Sequence, residues 1–145
     1  MQIDTGTSCR VQKASIAASR GLLRDFGEVE NLQVSRKGPA DFVSRADINA
    51  ERTIRRELAK ARPDWGFQME EGGVIEGADA SAPVWVIDPL DGTTNFLHGI
   101  PHFAISIAVM ETDSQGRRSI TAGTVFDPVK NEFFFAERGQ GAFLN

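Results

Sequence analysis

Cysteine occurs once in these 145 residues, at Cys9, so no internal disulfide forms and a disulfide-stapled scaffold is excluded. No apolar run approaches the roughly 18 residues of a membrane span; the longest, Phe103 to Met110, is interrupted by Ser106. Met1 to Arg20 has no apolar segment of the kind that a secretory signal needs. A cytoplasmic protein with no membrane contact is the expectation. Basic residues are outnumbered, with 16 Lys and Arg against 20 Asp and Glu and a formal charge of −4. Nonspecific nucleic-acid binding relies on a net cationic face, so direct binding is not expected and a small anionic ligand would need a cation. No repeat of about 20 to 50 residues is present, which excludes solenoids and propellers.

What is present is ordinary globular material: 41% hydrophobic and 25% charged residues, with Gly and Pro scattered. A chain of this size buries roughly 68–70% of its unfolded surface, enough for a proper core. Val11, Ala14, Ala18, Leu22 and Phe26 recur at helical spacing and meet Gly27, which predicts an amphipathic helix with a glycine stop. A second helix is expected from about Ile48 to Ala61, capped by Ser44 or Asp47, striped by Ala50, Ile54, Leu58 and Ala61, and closed by Pro63. Glu51 and Arg55 supply an i,i+4 pair on it. Arg36 to Ala40, with Gly38-Pro39, reads as a loop.

After Pro63 the period changes. Val84-Trp85-Val86-Ile87 is a short apolar run between Pro83 and Asp88-Pro89, the pattern of a buried strand ending at Asp88. Phe103, Ile105, Ile107 and Val109 alternate with the small residues Ala104, Ser106 and Ala108, a strand whose small face suits a closely packed helix. Ser119 to Phe126, Glu132 to Glu137 and Ala142 to Leu144 are further strands, with turns at Asp113 to Gly116 and Asp127-Pro128. Helices followed by a meander give an α+β class, two helices on an antiparallel sheet. Asn145, a residue that often begins a turn, ends the sequence there, which reads as a cut rather than a terminus.

Chemistry concentrates in Asp88-Pro89-Leu90-Asp91-Gly92-Thr93-Thr94-Asn95. Two carboxylates three residues apart, with Pro89 fixing the backbone, can turn toward one side together with the Leu90 carbonyl. Hard cations such as Mg²⁺ take carboxylate, carbonyl and water oxygens and accept phosphate as a further ligand. Gly92 lets the backbone approach a ligand, and Thr93-Thr94 can open a short helix whose N–H groups attract an anion. Glu70-Glu71, ahead of Gly72-Gly73, offers a third ligand from another loop. Asp47 is a further acid that could orient a water or a threonine hydroxyl, or serve as a helix cap.

The string from Asp88 to Phe96, preceded by Trp85-Val86-Ile87, Glu70-Glu71 and Asp41-Phe42-Val43-Ser44-Arg45-Ala46-Asp47, resembles the inositol monophosphatase family of lithium-sensitive, magnesium-dependent sugar phosphatases. The likeness runs through Gly139 to Asn145 and covers essentially the whole chain; Met69 stands where many relatives have glycine. It implies that residues 1–145 are an N-terminal metal-binding domain of the layered αβαβα fold, lacking the half that contacts the sugar hydroxyls. It further implies that Glu70, Asp88 and the Leu90 carbonyl bind one Mg²⁺ while Asp88 and Asp91 contribute to a second. Thr93 and Asp47 would position the attacking water, with Gly92 and Thr93 N–H groups on the phosphate. The substrate would be a small phosphate monoester, inositol 1-phosphate before others, the assembly a homodimer, and the isolated segment of little turnover.

Other readings are weaker. His98 and His102 are four apart, but Gly99 and Pro101 break any helix that would aim them at one zinc ion. Phe133-Phe134-Phe135 reads as core and dimer interface, and Arg36-Lys37 as a solvated loop. A covalent aspartyl phosphatase spaces its aspartates by one residue, not the two found here, and EF-hand ligand spacing is absent. A regulatory or RNA-associated binding protein that keeps the fold is the alternative of a different class.

Overall fold

A computed structural model describes residues 5–32 and 38–145. Two long helices, α1 (Thr5–Leu32) and α2 (Gly38–Ala61), pack on one face of a seven-stranded sheet in the order β2-β1-β3-β4-β5-β6-β7. Its strands are β1 (Gly66–Met69), β2 (Gly73–Ile75), β3 (Val84–Asp91), β4 (Ala104–Thr112), β5 (Arg118–Asp127), β6 (Glu132–Glu137) and β7 (Gly141–Leu144). A one-turn helix, α3 (Thr93–Leu97), joins β3 to β4. The α+β class and the β4-to-β7 meander are as the sequence implies. The sheet is mixed, because β1 runs parallel to β3 while every other neighbour is antiparallel.

Several boundaries differ from those the sequence suggests. Helix α1 passes through Gly27 because the apolar stripe continues to Val29, which is fully buried; that burial, about 1.5–3 kcal/mol, outweighs the roughly 1 kcal/mol that a helical glycine costs. Helix α2 begins at Gly38 rather than near Ile48. Pro39 then falls in the first turn, where its missing N–H costs nothing, and Val43 and Ala46 extend the stripe of Ala50, Ile54 and Leu58. Gly38 to Ala40 is thus helix rather than loop, and Ser44 and Asp47 are interior positions rather than caps. Arg36 and Lys37 lie outside the described residues.

The face of β4 that meets the helices carries Phe103, Ile105, Ile107 and Val109, all buried with Trp85, Ile87 and the helix stripes in one core. The large face, not the small one, receives the helices, since large side chains fill the layer gap. The register continues that face across the sheet: Ile105 opposes Phe126, which opposes Phe133. Phe134 points the other way and is 42% exposed. Asn145 ends β7's edge by accepting a hydrogen bond from Phe133 N at 2.8 Å and donating its own N–H to Phe133 O at 2.8 Å.

A three-ring cluster anchors the turn after β3. Phe26 of α1, Phe96 of α3 and Phe103 lie with centroids 4.9–5.4 Å apart, and Phe96 is wholly buried. Tilted and edge-to-face rings at this spacing attract beyond simple burial, so α3 cannot drift from the body of the fold.

Candidate metal centre

Two strand ends and one helix face supply the acids. In the parallel β1–β3 pair Met69 lies beside Ile87, so Glu70, just past the end of β1, comes alongside Asp88, which is still paired with Ser106 of β4. The Glu70 carboxyl, in its protonated form, donates a hydrogen bond to the Asp88 carboxylate, and this bond above all holds its pKa higher than usual. Burial and the charges of Asp88, Glu71 and Glu51 push the same way. Asp88 Oδ1 also accepts the N–H of Leu90 at 3.2 Å, which folds the chain tightly across Pro89.

Asp47 approaches from α2. It is 4% exposed, and its pKa is pushed up to about 7, first by burial and then by the charges of Glu70, Glu71, Asp88 and Glu51. Its Oδ1 is buried and, among the described residues, has no hydrogen-bond partner. A carboxylate oxygen stranded amid like charges is costly to keep.

The strand does not stop at Asp88. β3 continues to Asp91, with the register against β4 shifting between the two aspartates. Such a bulge bends the strand and re-aims its side chains. Asp91 is exposed and opens onto a groove with Gly92, Asn95, His102, Asp127 and Lys130. The structure therefore brings Glu70, Asp88 and Asp47 together, while Asp91, past the register shift, lines that groove and is not among the charges that act on Asp47 or Glu70. Among the described residues no three His, Cys, Asp or Glu side chains already form a metal cage.

Gly92, at φ 94° and ψ 35°, precedes α3 in the left-handed region, with no side chain capping the helix. The first N–H groups of α3 have no intrahelical acceptor. Asn95 Nδ2 donates to His102 O at 2.8 Å and Ile100 N donates to Asn95 O at 2.8 Å, bracing the turn. His98 and His102 are both exposed, and only His102 borders the groove.

The donors available are all oxygens and mostly anionic, which suits a hard divalent cation. The raised pKa values of Glu70 and Asp47 mark a cluster of like charges that a positive charge would relieve.

A sequence model of the inositol monophosphatase family matches residues 3–145. The chain belongs to that family. It is 60% identical over 133 residues to the inositol-1-monophosphatase of Rhizobium meliloti, covering 92% of this chain and 48% of that protein. It is 42% identical over 133 residues to the Nus factor SuhB of Escherichia coli, with 92% and 48% covered. The solved extragenic suppressor protein suhB of Bartonella henselae superposes with a TM-score of 0.80 at 54% identity, covering 97% of this chain and 52% of that one. The chain spans about half the length of the curated relatives it matches.

One further acid, Glu51, is paired with Arg55 by sequence spacing. In the fold Glu51 is 5% exposed and turns inward, accepting the N–H groups of Glu71 and Gly72. No local signal marks this, because the partners lie about twenty residues away.

Proposed function

We propose that this chain is the cation- and phosphate-binding domain of a phosphatase that hydrolyses a sugar or polyol phosphate monoester with Mg²⁺, inositol 1-phosphate being the expected substrate. The observation that carries the reading is the Glu70–Asp88 carboxyl pair beside the buried, unpartnered Asp47 oxygen. The names of relatives at 54–60% identity support the substrate class.

Glu70, Asp88 and the Leu90 carbonyl would hold one cation, and Asp88 and Asp91 a second. Bound there, the ions supply a water of lowered pKa and charge stabilisation at the leaving oxygen. The remaining work falls to this chain's own groups. Glu70 would serve as a ligand in its ionised form, and Thr93 and Asp47 would position the attacking water. The N–H groups of Gly92 and Thr93 hold phosphate oxygens as negative charge builds on them. Hydrolysis is direct, in line with the leaving alkoxide, with no phosphorylated aspartate.

Exposed Phe134 and Val125 support a homodimer as the assembly. Phosphate release from myo-inositol 1-phosphate, with Mg²⁺ and then with Li⁺ added, tests the reading in a protein of the relatives' full length that contains this chain. Turnover unchanged by a chelator would overturn it.

The relatives named Nus factor SuhB, at 40–45% identity, favour a second reading, a regulatory binding protein on the same fold. Cellular function that survives Asp88→Asn while hydrolysis is lost would select it.

A further inference from the structure

Glu51 follows Asp47 by one helical turn on α2 and, like it, is buried on the side facing the sheet. Its Oε2 accepts the N–H of Glu71 at 2.9 Å and its Oε1 accepts the N–H of Gly72 at 2.7 Å. These are the two residues directly after Glu70, in the hairpin turn between β1 and β2. One carboxylate thus binds both main-chain donors of that turn, in short, charge-assisted bonds.

The carboxylate sits tight against the turn. A Cβ on Gly72 would stand 2.9 Å from Glu51 Oε1 and 2.9 Å from Met69 Cε, so a side chain there would push one of these two side-chain ends away. Among the described residues no ion pair is formed by Glu51, and a buried carboxylate without a cationic partner is an expensive way to brace a hairpin. Asp47 and Glu70 both feel its charge as well, so Glu51 adds to the field that a cation would neutralise.

We propose that Glu51 is a positioning residue for cation capture: it clamps the β1–β2 turn so that Glu70 faces Asp88, and it sets cation affinity without being a ligand. The assignment rests on the reading of the site under Proposed function. Partners that orient ligands typically change metal affinity by about 10–100-fold when removed.

The test titrates the 145-residue chain with Mn²⁺ alone by calorimetry, alongside thermal melting without cation and hydrogen exchange at the Glu71 and Gly72 amides. Three variants separate charge from clamp. Glu51→Gln keeps shape but has one acceptor oxygen, Glu51→Asp keeps the charge but is a methylene too short to hold both amides, and Gly72→Ala keeps every charge while displacing the carboxylate. All three are expected to weaken Mn²⁺ binding about 10–100-fold and to speed exchange at both amides, while cation-free Glu51→Gln melts no lower than the parent. Weakening by Glu51→Gln alone, with Glu51→Asp and Gly72→Ala unaffected, would reduce the role to bulk charge and overturn the clamp. Loss of affinity only in step with loss of melting temperature would do the same. Equal affinity in all four proteins overturns this assignment alone, whereas a parent chain that binds no Mn²⁺ overturns the proposed function with it.

Discussion

Glu70 and Asp88 face each other across the parallel β1–β3 pair, close enough that Asp88, first as a hydrogen-bond partner and then by its charge, raises the Glu70 pKa. Parallel pairing is what makes this contact, because it sends both chains out of the same edge of the sheet. A divalent cation binds the ionised form of Glu70, so its raised pKa means that binding should tighten as pH rises. Asp88→Asn and Glu70→Gln each remove the charge of a proposed ligand. Both are expected to lower Mg²⁺ affinity by at least about 100-fold, beyond the loss seen for residues that merely orient ligands, in a calorimetric titration. Affinity retained in either variant would remove that residue from the centre.

Asp47 gives the cation-free protein a pH dependence whose sign follows from its raised pKa. Between the unfolded value of 3.8 and the folded value of about 7, the native state holds more protons than the unfolded state. Stability then falls as pH rises through that window, and the penalty is fully present above about 7. Asp47→Asn is expected to raise stability at pH 8 by about 2–4 kcal/mol in urea melts without cation, and to leave pH 4 nearly unchanged. A variant less stable than the parent at pH 8 contradicts the assignment of that oxygen as stranded charge.

How much of this was legible beforehand depends on where each residue's partners lie. The string from Asp88 to Asn95 announces itself because its carboxylates, glycine and helix start are contiguous. Glu70 was readable as a third ligand from another loop, and the family resemblance set it with Asp88, but β1 and β2, of four and three residues, were too short to show alternation, so the parallel pairing that joins the two was not. Asp47 and Glu51 illustrate the general loss. Local rules make the first a helix cap and the second half of an i,i+4 pair, because those rules weigh only near neighbours. Both belong to a long-range arrangement that exists once α2 lies against the sheet. The overrun of α1 past Gly27 and the early start of α2 have the same origin, tertiary burial overriding a local stop signal.

Phe96 links stability to the phosphate turn. Its ring is wholly buried between Phe26 and Phe103, and it sits three residues after Thr93. Phe96→Ala is expected to cost about 3–5 kcal/mol by chemical denaturation. Phe96→Leu retains most of the volume and should cost about half of that or less, yet it should still weaken binding of inorganic phosphate in the presence of Mg²⁺, since α3 would no longer be fixed at one angle. Unaltered phosphate affinity in Phe96→Leu would show that α3 does not depend on the ring cluster for its placement.

Gly92 is where backbone conformation and ligand approach meet. Its φ of 94° lies where a residue with a side chain is strained, and an added Cβ would come within 3.0 Å of His102 O and 3.3 Å of Phe103 Cα. Both are main-chain atoms, which cannot swing aside as a flexible side chain can. Gly92→Ala should therefore destabilise the fold by about 1–3 kcal/mol. The site should suffer more than the fold, because relief of the clash must shift the segment between Asp91 and Thr93, whose N–H groups are proposed to hold phosphate. Equilibrium melts give the first quantity, and the ratio of phosphate affinities with Mg²⁺ present gives the second. If the variant loses stability but binds phosphate like the parent, the turn braces the structure and takes no part in holding the anion.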